Sequence, residues 1–107
     1  MADFRVLITD RASAQLHEIV EWIEQRAPET AQRWFKKTLT EITSLSIMPR
    51  RHSLARESIQ LKMELREILV GKRKWRVLYT IRDQDVIVMC IRIGALGPVT
   101  AEDLSGD

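Results

Sequence analysis

Apolar positions along this chain follow two different periods. Between residues 10 and 48 they recur every three or four residues; beyond residue 61 they alternate or run together. The first spacing gathers side chains on one face of a helix, the second on the faces of a strand. A short strand-like run, Phe4–Ile8, precedes both, with Phe4, Val6 and Ile8 on one side and Arg5 and Leu7 on the other. Thr9 or Asp10 can then cap a helix, because a side-chain oxygen there accepts a free N–H of the first turn. Leu16, Ile19, Val20 and Ile23, extended by Ala12, make its apolar stripe, and the pattern predicts a helix to about Arg26. Trp22 lies off the centre of that stripe, placed for a seam between helices or for a partner. Ala27-Pro28 breaks the period, and a proline is tolerated in a first helical turn. Pro28 therefore opens a second helix, with Glu29 near its positive end. Ala31, Trp34, Phe35, Thr38, Ile42 and Leu45 continue one face, and Pro49 bars extension past about Met48. The short link predicts an antiparallel hairpin whose apolar seam needs a sheet to cover it.

Residues 49–60 show no period and read as a polar connection with room for one helical turn. Three strand-like runs follow. In the first, Leu61, Met63 and Leu65 alternate with Lys62, Glu64 and Arg66, while Ile68 and Val70 fall out of phase. A bulge near Arg66-Glu67 would reconcile the two sets. Gly71-Lys72-Arg73 makes a turn, with glycine free to take positive φ. Trp75, Val77, Tyr79 and Ile81 then share one face; Arg76, Leu78, Thr80 and Arg82 share the other. After an Asp83-Gln84-Asp85 turn, Val86–Ile91 is apolar throughout, as in a strand covered on both faces. The expected fold is α+β: an N-terminal strand, an antiparallel two-helix hairpin and a three-stranded antiparallel meander, with the helices on one face of a small sheet. One domain spans residues 1–98. Residues 99–107 form a short acidic tail, expected to fray as untethered ends do, although Thr100 and Asp103 could form a capping box.

Composition narrows this picture. The chain has 107 residues, 45% hydrophobic and 30% charged, which suits one globular domain. Its single cysteine, Cys90, lies in an apolar run and reads as a small core group in a reducing compartment. The N-terminal residues lack a signal-peptide pattern and no run approaches the ~20 apolar residues of a membrane span, so a cytoplasmic location is expected. The net charge is only +2, but it is unevenly spread: residues 50–82 hold ten Lys or Arg against three Asp or Glu, and residues 83–107 hold one against five. A basic middle suits an anionic partner or, more plainly, a solvated sheet face.

Chemistry-bearing motifs are sparse. There is no phosphate-cradling glycine loop, GxSxG or CxxC, and nothing calls for a cofactor. His17 and His52 are not at ligand spacing, so no metal site is expected. His52 in its loop reads as solvated. Glu64 and Glu67 read as cross-strand partners for Lys62 or Arg76 rather than an acid–base pair. Arg66, Arg76 and Arg92 fall at corresponding parts of three strands and are expected to converge on one face, where guanidinium groups would suit an anion. Trp34 and Trp75 read as core.

Taken together, the order of pieces resembles the RelE/ParE superfamily of bacterial toxins. ASAQLHEIVEWIEQRAPETAQRWFKKTLTEITSLSIMP is similar to that family's helical hairpin, LREILVGKRKWRVLYTI to its LR-x-L-x-V-G and YR-[VI]-LY strands, and VIVMCIRIGA to its last strand. The resemblance covers residues 4–97. It implies a compact toxin held inactive by a cognate antitoxin, with two activities in the superfamily: RelE-like cleavage of mRNA on the ribosome, and ParE-like inhibition of DNA gyrase without known hydrolytic chemistry. A nuclease of this type would use Lys62, Arg66, Arg76 and Tyr79. The sequence leans toward the ParE branch, because Glu64 would repel an RNA phosphate and Ile93 and Leu96 stand where many members carry histidine and arginine. In that reading no catalytic residue is expected, and Arg66, Lys72, Arg73, Lys74, Arg76 and Arg92 contact a protein target. The missing C-terminal basic residues also leave room for a member that binds its antitoxin without toxicity. Apolar hairpin surface and unpaired strand edges make association plausible.

Overall fold

The computed structural model describes residues 3–105. Strand β1 (Arg5–Ile8) leads into helices α1 (Asp10–Glu24) and α2 (Pro28–Thr43). A short helix α3 (Ser58–Leu61) precedes strands β2 (Leu65–Val70), β3 (Trp75–Arg82) and β4 (Asp85–Ile93). The sheet order is β1-β4-β3-β2, so the α+β fold expected from the sequence is the one observed. The meander is antiparallel, while β1 lies parallel to β4, with Arg5 opposite Asp85 and Ile8 opposite Val88. A parallel neighbour needs a long crossover, which the hairpin and the first two meander strands supply. β4 is thereby internal, which accounts for its apolar run.

Local signals set the helix ends. Thr9 Oγ1 accepts the Ala12 N–H at 3.1 Å, and Pro28 opens α2 as its first residue. α2 then tightens into a 3-10 turn at Ser44–Ser46 before Pro49. Ala12, Leu16, Ile19 and Ile23 of α1, with Ala31, Trp34 and Ile42 of α2, bury against Trp75, Val77, Tyr79, Ile81, Val86 and Val88. Trp34 and Trp75 are core residues, as their spacing implied.

The meander departs from expectation in two places. The first strand begins at Leu65, because residues 58–61 form a helical turn closed by Lys62 at φ 55°. The Leu61–Met63–Leu65 alternation is thus only partly that of a strand. β2 pairs with β3 residue for residue, without the bulge expected at Arg66-Glu67. The bulge lies in β4: Tyr79 pairs with Val88 and Leu78 with Cys90, which leaves Met89 as the extra residue. Its effect is a change of face. Val86 and Val88 meet the helices before it and Ile91 after it, while Met89 and Cys90 both turn to the opposite side.

That opposite side carries a second core of Ala55, Leu65, Leu78, Cys90, Val99 and Leu104. Val99 and Leu104 therefore anchor the segment where the sequence suggested a frayed tail. Val99 and Leu104 are apolar and cover the sheet, and Thr100 and Asp103 form the expected capping pair, Thr100 N–H to Asp103 Oδ2 at 2.8 Å and Asp103 N–H to Thr100 Oγ1 at 3.3 Å. The remaining two residues of that tail lie outside the described residues. Among the described residues, no helix is long and apolar enough to cross a membrane.

Candidate functional site

The arginines expected to converge are divided between the two faces of the sheet. Arg76 and Arg92 are paired across β3 and β4 and share the tail-covered face. Arg66 is paired with Tyr79, which belongs to the helix-covered core, so Arg66 points to the other side. The reason is register: without a bulge in β2, Arg66 keeps the parity of Ile68 and Val70.

Arg76 is 5% exposed. Its Nη1 and Nη2 donate to both Glu57 oxygens at 2.8 Å, and its Nε donates to Glu67 Oε1 at 2.7 Å. Glu57, just before α3, also accepts the Val99 N–H at 2.9 Å. The hydrogen bonds from Arg76 outweigh burial and hold the Glu57 carboxyl at about 2. Hydrogen bonding to Glu57, against the opposing effect of burial, likewise raises the Arg76 pKa. Such a bidentate guanidinium–carboxylate pair is strong and directional. Arg92 is similarly engaged, its Nη1 at 3.2 Å from Asp103 Oδ2 and its Nη2 at 3.3 Å from the Leu96 carbonyl. With Arg66, whose Nε donates to Glu64, three of the six expected contact residues are thus paired with the chain's own carboxylates.

The proposed nuclease set does not assemble either. Tyr79 has no exposed surface; its hydroxyl donates to the Pro49 carbonyl at 2.6 Å, and burial pushes its pKa up to about 12. Arg66 donates from Nε to Glu64 at 2.9 Å and from Nη1 to the His52 carbonyl at 2.6 Å. Burial opposes the charge on Glu64, but hydrogen bonds from Arg50 and Arg66 prevail and lower its pKa. Lys62 is exposed at the end of α3. His52 is half-buried rather than solvated; burial, then Arg51, lowers its pKa, and its ring meets Tyr79 edge-on at 6.5 Å. It lines a cleft of about 300 Å³ with Glu41, Ser53, Glu67 and Arg73. Among the described residues, no cluster of three or more His, Cys, Asp or Glu could hold a metal ion.

The Lys72–Lys74 turn is different. Gly71, Lys72 and Arg73 have φ of 59°, 59° and 66°, so the chain turns through three successive left-handed residues. A Cβ on Gly71 would lie 2.7 Å from Trp75 Cδ1 and 2.8 Å from Trp34 Nε1, which excludes any other residue without rearrangement. The turn lifts three basic side chains into solvent, and none forms a salt bridge among the described residues.

A sequence profile described as "ParE toxin of type II toxin-antitoxin system, parDE" matches residues 6–95. The chain belongs to this family. It is a toxin of a toxin–antitoxin module, and its partner is a cognate antitoxin. No curated protein sequence matches it. Among solved structures it is similar to a chain described as "Chromosomal ParDE TA system from P. aeruginosa", with a TM-score of 0.70 and 14% identity over 84% of this chain and 95% of that one. At that identity the likeness concerns the fold.

In this ParE-family toxin, two of the carboxylates that hold the arginines, Glu57 and Asp103, come from outside the strands. Glu57 lies in the aperiodic connection, where no pattern marks it, and its bonds to Arg76 and Val99 join residues 19 and 42 positions apart. Asp103 was visible only as a local cap. The Glu67–Arg76 pair was legible, because it follows from cross-strand adjacency.

Proposed function

We propose that this toxin arrests growth in the cytoplasm by docking on DNA gyrase, with no bond-breaking step of its own, and that its antitoxin blocks the docking. The observation that carries this reading is the contrast between Arg76 and the Lys72–Lys74 turn. The arginine that a nuclease would aim at a phosphate is enclosed by Glu57 and Glu67, whereas the turn presents unpaired cations to solvent. An enclosed, neutralised guanidinium cannot meet the charge that develops on a phosphate in the transition state. Exposed cations on that turn can meet acidic groups on a protein, where charge complementarity sets register and association rate. Arg66 and Arg92 would then hold local structure, with Lys72, Arg73 and Lys74 making the contacts.

Purified, antitoxin-free protein should inhibit supercoiling of relaxed plasmid by gyrase at micromolar concentration. Unimpeded supercoiling there would count heavily against the proposal. Codon-positioned cuts in translated messages that vanish in Arg76→Ala would replace it with the ribosome-dependent nuclease. Unimpaired growth on induction without antitoxin would leave a family member that only binds its antitoxin.

A further inference from the structure

Next to the basic turn, the space between α1 and β3 is lined by aromatic rings rather than filled by them. Trp22 of α1 is 46% exposed, whereas Trp34 and Trp75 are each 9% exposed. Trp75 stands edge-on to both, its ring centroid 6.3 Å from Trp22 and 5.8 Å from Trp34. Two open clefts share Trp22 and Trp75. One, of about 280 Å³, runs toward Gly71, Lys72 and Lys74; the other, of about 350 Å³, runs toward Glu18, Ile19 and Ile93. Together they make a groove with an apolar floor.

Its charge is one-sided at the turn end. The Lys74 ammonium lies 5.6 Å from the Trp22 centroid and 5.7 Å from that of Trp75, and the Arg26 guanidinium lies 4.0 Å over Trp22. Neither these two nor Lys72 forms a salt bridge among the described residues, and Glu18 is the one acid lining the groove, at its far end. The buried Trp34 Nε1–H beneath Gly71 has no hydrogen-bond acceptor, which adds a positive dipole to the same end. Half-exposed tryptophan beside an arginine is the composition of an interface anchor.

We infer that this groove seats an acidic segment of the toxin's target protein. A large apolar side chain of that segment rests on the Trp22–Trp75 shelf, and a neighbouring carboxylate sits between Lys72 and Lys74. The inference rests on the docking reading above and adds the aromatic shelf and the chemistry of the target segment to it. Charge selects the occupant: three cations, Arg26, Lys72 and Lys74, face one acid, so an acidic segment gains attraction at the turn while a basic one is repelled.

The test uses Trp22→Ala and the Lys72→Glu/Lys74→Glu pair, with Trp22→Phe and Lys72→Arg/Lys74→Arg as conservative controls. Each is induced without antitoxin and followed by growth arrest, then purified with antitoxin to confirm folding. The two disruptive variants are expected to lose growth arrest by about tenfold or more in viable count while still capturing antitoxin, and the controls to keep it. If Trp22→Ala fails to fold, the exposed turn variant carries the test. Undiminished arrest by the disruptive variants overturns the groove, as does loss of antitoxin capture by a folded variant that still arrests growth. Supercoiling by purified gyrase, measured on the same proteins, separates the two readings. A wild-type chain that arrests growth without affecting supercoiling removes gyrase and leaves the groove to be judged by the growth result. A wild-type chain that arrests nothing overturns both.

Discussion

The helix-covered and tail-covered faces of the sheet are sealed by different forces. On the first, α1 and α2 lay continuous apolar stripes over Val77, Tyr79, Val86 and Val88, and the Tyr79 hydroxyl buried there donates to one acceptor, the Pro49 carbonyl 30 positions away. On the second, a smaller apolar cluster surrounds an Arg76 guanidinium held between two carboxylates, one of which also ties down Val99. Apolar burial is additive and forgiving of detail, whereas a buried ion pair is favourable only while both partners remain. The same sheet therefore has one face that tolerates substitution by degrees and one with a single point of failure.

The sharpest way to break this contrast is Glu57→Ala, which leaves a buried guanidinium with only Glu67 and frees the Val99 N–H. It should cost about 3–5 kcal/mol in urea unfolding, and a loss under 1 kcal/mol would show that the pair is dispensable. Leu16→Ala on the helix-covered face should cost about 2–5 kcal/mol by leaving a cavity. The two should separate by pH. Glu57 has its pKa lowered from 4.5 to about 2, so the stability it contributes is present above pH 4.5 and lost as pH falls toward 2. An acid titration of stability should therefore keep its descending limb in Leu16→Ala and flatten in Glu57→Gln. Gly71→Ala comes next, expected to lose about 1–2 kcal/mol, because it combines positive φ with close contacts to two tryptophans. Thr100→Ala removes one half of the capping pair and should cost about 0.5–1 kcal/mol, seen as a slightly lower midpoint with an unchanged slope.

The candidate site divides along the same line. Lys72, Arg73 and Lys74 could be read directly, since a turn between two strands must face solvent. Arg76 and Arg92 could be assigned to strands, but their availability could not, because it depends on Glu57 and Asp103 arriving from distant segments. Trp22 was legible as a residue off its stripe; the groove beside it was not, since that space is bounded by α1, α2, β3 and the turn together.

By itself, then, the sequence determined the helices, their caps, the turn and the alternating faces of β3, because each depends on neighbours within a few positions. It also carried the family resemblance, which rests on the order of those pieces. Tertiary structure decided the parallel docking of β1, the bulge at Met89, the packing of Val99 and Leu104 and the partners of each arginine. Those outcomes depend on which backbone edges and carboxylates meet in space, and strand parity is reset by a single extra residue that no local pattern locates.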